Sequence, residues 1–224
     1  MIDHSTTLAH TPSRPLVPRL IWATFGLLVF TAGIYVTLRA NIGVSPWDVL
    51  AMGIAKQTAL SFGAAALVIS SLILLFDLWL KERIGLGTIL DVLITGKGVD
   101  FFLAWDPLPM QTNRYAGIGF MLIGLFLMAI GQRIYMPQAL GLGPRDLLMV
   151  ALGKRGRKVP IGLVQTAILG VVTLSGFLLG GEVGIGTLVS FVMAGQIMQL
   201  VFLVGRFDPR QIVHETLFSR LPRS

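Results

Sequence analysis

The chain has 224 residues, of which 54% are apolar and only 13% charged, with no cysteine and a net charge of +7; its mean hydropathy is +0.78. That leaves too little polar surface to cover a soluble fold of this size, so the composition predicts an integral membrane protein. The missing thiols exclude disulfides, thiolate nucleophiles and cysteine-ligated zinc or iron–sulfur centres, and basic residues flanking apolar spans account for the positive charge without nucleic acid.

Residues 1–18 are polar, contain three prolines and read as an N-terminal tail. The apolar run at 20–38 is longer than a signal-peptide core and lacks a small-residue cleavage site, so it is expected to stay as a first span. Similar runs follow at 61–80, 85–105, 115–136, 160–180 and 187–204. At ~1.5 Å per residue, each is long enough to cross ~30 Å of hydrocarbon. The expected organisation is a tail at 1–18, a first membrane unit at 19–106, a second at 114–205 and a C-terminal tail at 206–224.

Lys and Arg set the expected orientation. Fourteen fall in the N-tail, the second and fourth connections and the C-tail, against Arg39, Lys56 and Arg114 on the other side, with Lys97 inside a span. Both termini are therefore expected in the cytoplasm. The run Gly153-Lys-Arg-Gly-Arg-Lys158 offers Lys154, Arg155, Arg157 and Lys158 either as a topology anchor or as a contact for anionic headgroups.

The chain also repeats itself. A shift of 98 residues places Gly26 on Gly124, Gly33 on Gly131, Gly43 on Gly141, Pro46 on Pro144 and Asp48 on Asp146; one residue later, Ile84-Gly-Leu-Gly-Thr88 falls on Val183-Gly-Ile-Gly-Thr187 and Gly96 on Gly195. Agreement at Gly, Pro, Asp and Thr is more informative than agreement among Leu, Ile and Val. Three spans per copy is an odd number, so the second copy enters the membrane from the opposite face. The expected fold is all-α, with six transmembrane helices in two inverted three-helix repeats and a site near the midplane between them.

Each copy carries a proline turn, "GVSPWDVL" and "GLGPRDLL". Ser45 suits a helix N-cap, Pro46 the first helical position and Asp48 the third, where its carboxylate returns a bond; Gly143, Pro144 and Asp146 repeat the pattern. About ten residues follow each proline before Lys56-Gln57 and Lys154-Arg155, a length of ~15 Å, half a bilayer. Each is either a re-entrant half-helix or an interfacial one, with Pro46 expected toward the outer face and Pro144 toward the cytoplasm.

These two turns, together with Gly85, Gly87, Thr88, Gly96 and Asp100, resemble the bacterial YitT/YczE family of integral membrane proteins, over about residues 21–204. The resemblance implies a multi-span protein of the bacterial inner membrane and brings no activity with it. Gln199 in place of a second Asp100, and Lys97 directly after Gly96, depart from the pattern.

Polarity at membrane depth marks the candidate site, since each charged group there costs at least ~2.5 kcal/mol unless paired or hydrated. Asp91, Lys97 and Asp100 lie in the third span, and Ser190, Gln196 and Gln199 are their counterparts in the sixth. Lys97 and Asp100 stand three apart and are expected to pair; Asp91 shares its surface with Thr88 and Thr95 and needs a partner from another helix. With Asp48 and Asp146, these residues form either a pathway for a small solute or ion or a polar clamp that fixes packing. The glycines read chiefly as close-packing positions. His4, His10 and His214 lie in the tails, and no metalloprotease, serine-hydrolase or phosphate-loop motif is present. Asp91 and Asp100, nine apart on one helix, cannot form a protease dyad. No enzyme, cofactor, metal or nucleic-acid role is expected. A transporter or channel is the first reading, and a non-catalytic accessory or regulatory protein acting through a partner is the alternative.

Overall fold

A computed structural model describes residues 15–82, 84–155 and 161–206, with the side chains of 153, 154, 161 and 162 outside that set. Among these residues the regular structure is entirely helical: α1 (Leu16–Arg39), α2 (Pro46–Gln57), α3 (Phe62–Trp79), α4 (Leu86–Trp105), α5 (Arg114–Tyr135), α6 (Pro144–Arg155), α7 (Ile161–Leu178) and α8 (Ile185–Val204), with a 3₁₀ turn at Met136–Gln138. The six apolar runs coincide with α1, α3, α4, α5, α7 and α8, and the two proline turns open the 12-residue helices α2 and α6. Among the described residues four helices are long and apolar enough to cross a membrane: α1, α3, α8, and α5 with its 3₁₀ extension. The 20-residue α4 carries three charges, Asp91, Lys97 and Asp100, and the apolar part of α7 is Leu163–Leu178. Most of both tails, Arg157, Lys158 and the Lys154 side chain lie outside the described residues.

Local chemistry sets the helix starts. Ser61 Oγ accepts from Ala64 N at 3.1 Å to open α3, and Asn113 Oδ1 accepts from Tyr115 N at 2.8 Å to open α5. Before α2 and α6, the chain makes one backbone path twice. Asn41 and Ala139 adopt left-handed φ of 52° and 54°, Gly43 and Gly141 have φ of 98° and 126°, and Ser45 is extended just before Pro46. A side chain at either glycine would be strained.

At the centre, α1 and α5 cross antiparallel through glycines. A Cβ on Gly26 would lie 2.9 Å from the Gly131 carbonyl, and one on Gly131 2.6 Å from that of Gly26; Gly33 and Gly124 stand in the same reciprocal relation at 2.7 Å. Hydrogen is the only side chain that permits this approach, and close backbone packing of this kind holds helices together where no hydrophobic drive exists between them. Helix α4 flanks α1 and α8 flanks α5, while α2 lies on α7 and α3, and α6 on α3 and α7. The start of each long flanking helix is docked on the other copy's turn: Gly87 N donates to Leu140 O and Gly186 N to Ile42 O, both at 2.7 Å.

The short helices pack inside the bundle, with Pro46, Asp48, Val49, Ala51 and Gly53 of α2 buried. Their outer, C-terminal ends are pinned by matching ion pairs, Lys56 to Glu182 at 2.9 Å and Arg155 to Glu82 at 3.4 Å. Their first turns point at each other, with the Arg145 guanidinium 5.2 Å from the Trp47 ring centroid. Within the molecule, Pro46 and Pro144 therefore open helices whose first turns are neighbours.

Candidate functional site

Where the two first turns meet, one buried carboxylate, Asp48, stands near three half-buried charged side chains, Asp91, Arg145 and Asp146. On α2, Asp48 is 1% exposed and accepts from Ser45 Oγ at 2.5 Å. Ser45 is the N-cap residue, as its type foretold, but its side chain makes no bond to the helix backbone. The capping box expected there is replaced by a hydroxyl–carboxylate bond, which is stronger because one partner is charged.

On α6, Arg145 and Asp146 are half-buried. Arg145 stands close enough to Asp48, Asp91 and Asp146 to attract all three electrostatically. From α4, Asp91 accepts from Thr95 Oγ1 at 3.1 Å, and its other oxygen lies where a Cβ on Gly143 would come within 2.7 Å. The glycine at the cap position of α6 thus makes room for the carboxylate that its counterpart Ser45 does not face. Thr88 is engaged elsewhere, donating to Leu142 O at 2.7 Å. Tyr135 of α5 lies within electrostatic reach of both Asp91 and Asp146. Among the described residues no three His, Cys, Asp or Glu side chains stand close enough to hold a metal ion.

Of the residues singled out from sequence, the structure brings Asp48, Asp91 and Asp146 together and leaves the other four outside. The expected Lys97–Asp100 pair does not form. Asp100 instead accepts from the Ser61 hydroxyl and, at 2.7 Å, from Gly63 N, so the carboxylate caps α3. The N-terminal turn of a helix offers unpaired N–H groups and a favourable dipole, which a mobile ammonium three residues away does not outcompete. Lys97 is exposed, with no ion-pair partner among the described residues, and Gln196 and Gln199 are exposed on α8. Ser190 is buried and donates to Thr187 O at 2.9 Å. Arg145, Trp47 and Tyr135 escaped the sequence reading. The available signal was that Arg145 follows Pro144 directly, inside the first turn of a helix and next to Asp146. Asp77, buried in the last turn of α3, was also missed; neither of its carboxylate oxygens has a hydrogen-bond partner.

The apolar helices, the buried half-helices and the charge enclosed between them define a polytopic helical membrane protein. The chain belongs to the family of unknown function DUF6198, whose model matches residues 17–202. It is 33% identical over 201 residues to an uncharacterized protein of Haemophilus influenzae, covering 82% of this chain and 90% of that one. It is 27% identical over 189 residues to the uncharacterized membrane protein YczE of Bacillus subtilis, covering 83% and 86%, and 28% identical over 183 residues to the uncharacterized protein YyaS of the same organism, covering 78% and 88%. The resemblance read from the proline turns is therefore met on its YczE side. No solved structure matches the chain.

Proposed function

We propose that the chain is a transporter or channel for a small solute or ion in the bacterial inner membrane, with its site between two inverted repeats of three spans and one half-helix. The observation that carries this reading is the enclosure of Asp48, Asp91, Asp146 and Arg145 where the first turns of α2 and α6 meet. Buried charge at such a crossing is costly for a scaffold, and a packing role alone is met at lower cost by apolar side chains. The inverted arrangement is supported by the reciprocal glycine contacts, the twin turn conformations and the matched docking of α4 and α8. In this reading all six long helices span, both termini lie in the cytoplasm, and Lys154, Arg155, Arg157 and Lys158 meet anionic headgroups. The protein acts without catalysis, cofactor or resident metal.

The test is flux through the purified chain in liposomes, screened with amino acids, organic anions, protons and metal ions. Saturable flux of one class, abolished by Asp91→Asn in a protein that still folds, supports the reading. An inert protein that co-purifies in defined stoichiometry with another membrane protein overturns it in favour of an accessory role.

A further inference from the structure

The two repeats differ in one seam. In the first, α3 lies along α4: Gly63 meets the Gly96 carbonyl, a Cβ on Gly96 would stand 2.9 Å from both Gly63 O and Leu67 Cβ, and Asp100 caps α3 across the seam. The equivalent residues of the second repeat are Gly162, Thr166, Gly195 and Gln199. There, no described residue comes within 4 Å of a Cβ built on Gly195, and Phe191, Gly195 and Gln199 are exposed where Val92 and Gly96 are buried and Asp100 half-buried. Helix α7 leans instead on α2. A Cβ on Gly176 would lie 2.5 Å from Leu50 N, one on Gly53 2.6 Å from Gly176 O, and Gln57 Nε2 donates to Leu179 O at 3.0 Å. Between α7 and α8 runs an apolar cleft of about 450 Å³, lined by Thr173, Leu174, Phe177, Leu188 and Phe191 among others.

A glycine in the middle of a helix costs roughly 0.5–1 kcal/mol relative to alanine, and an exposed Gly195 has nothing in this arrangement to offset that. An amide at Gln199 is likewise a polar group on an apolar surface. Both residue types fit a state in which α7 closes on α8 as α3 closes on α4.

We infer that the protein has a second state in which the seams exchange: α7 packs along α8 through Gly162 and Gly195, with Gln199 accepting at the start of α7, while α3 leaves α4 and Asp100 gives up its cap. This deepens the transport reading and rests on the inverted repeat within it. The α7–α8 seam is then the open one in the described state and the α3–α4 seam in the other, on opposite sides of the pseudo-two-fold axis. The asymmetric pair of latches, a carboxylate in one seam and an amide in the other, makes the described state the more populated one, since a hydrogen bond to a charged acceptor is the stronger.

Cysteine cross-linking tests the exchange without any assay of transport, and the native chain has no thiol to remove. In native membranes, the pair Thr166→Cys and Gly195→Cys is expected to form an intramolecular disulfide, while Ile168→Cys with Gly195→Cys, on the opposite face of α7, does not. Adding Asp100→Ala removes the α3 latch and should raise the rate of the first cross-link by about tenfold or more, since a tenfold change is the effect of losing even one of its two hydrogen bonds to a charged group. Gly195→Leu fills space that is open in the described state, so the variant should purify as well folded as the native chain while flux is lost. A rate no higher than the control pair, a rate unchanged by Asp100→Ala, a disulfide formed between two chains, or undiminished flux in Gly195→Leu would each overturn the exchange. Cross-linking that behaves as expected in a chain without flux would sustain the exchange and sink the transport reading, so the two fail separately.

Discussion

The turns before α2 and α6 have the same backbone and opposite chemistry. Both pass through a left-handed residue, a positive-φ glycine and a proline, and each receives a 2.7 Å hydrogen bond from the other copy's long helix. The first turn then closes on itself, as Ser45 donates to Asp48 and the carboxylate disappears from the surface. The second stays open. Gly143 has no side chain to offer, Asp91 fills the space, and Arg145 takes the position that Trp47 holds in the first copy. The two turns thus share a geometry that depends on glycine and proline, while their side chains differ: Ser45 and Asp48 bond within the first, and Asp91 stands against Gly143 at the second.

Removing the cation is the most damaging way to break this comparison. Arg145→Met strands three carboxylates in a buried setting, and losing one partner of such a group costs about 3–5 kcal/mol. The variant should lose most of its yield of monodisperse protein, and Arg145→Met with Asp91→Asn should recover part of it. Full yield from the single variant would mean that Arg145 is not the counter-ion. Next comes the scaffold: Val at Gly141 would hold a β-branched residue at φ 126° with its Cβ 2.7 Å from Thr88 Oγ1, and Val at Gly43 one at φ 98° with its Cβ 2.5 Å from Gly184 N. Each should cost about 2–3 kcal/mol in thermal unfolding of the detergent-solubilised protein, and a large difference between them would end the equivalence of the turns. Ser45→Ala removes one bond to a charged acceptor and should cost about 1.5 kcal/mol. Smallest is Lys97→Met, outside the cluster, which should leave the unfolding temperature unchanged or slightly raised; a marked fall would place Lys97 in a pair that the seam geometry does not contain.

The scaffold was legible because its signals are local. Positive φ calls for glycine, a first helical position accepts proline, and twenty apolar residues make a span, so the six long helices and both short ones could be placed from the chain alone. The cluster was legible only in part, because which charges meet is a tertiary matter. Asp48, Asp91 and Asp146 stood out by type, but Arg145 was counted among the topology charges, a reading that holds for a basic residue in a loop and fails for one in the first turn of a buried helix. Asp100 was matched to its nearest cation along the helix, whereas the unpaired N–H groups at the start of α3 were the better partner. The different fates of the α3–α4 and α7–α8 seams left only a faint trace in the sequence, Gln199 in place of a second Asp100, because the same glycines occur in both.

The account turns on Asp91, the carboxylate that fills the open turn. The decisive measurement compares flux in proteoliposomes carrying the native chain, Asp91→Asn and Lys97→Met, each reconstituted from protein with the native elution profile. Asparagine keeps the size of the side chain and a hydrogen-bond acceptor for Thr95 while removing the charge beside Arg145. With a site between the half-helices, Asp91→Asn loses flux while Lys97→Met retains it. Native flux in Asp91→Asn, or loss confined to Lys97→Met, would contradict a site between the half-helices.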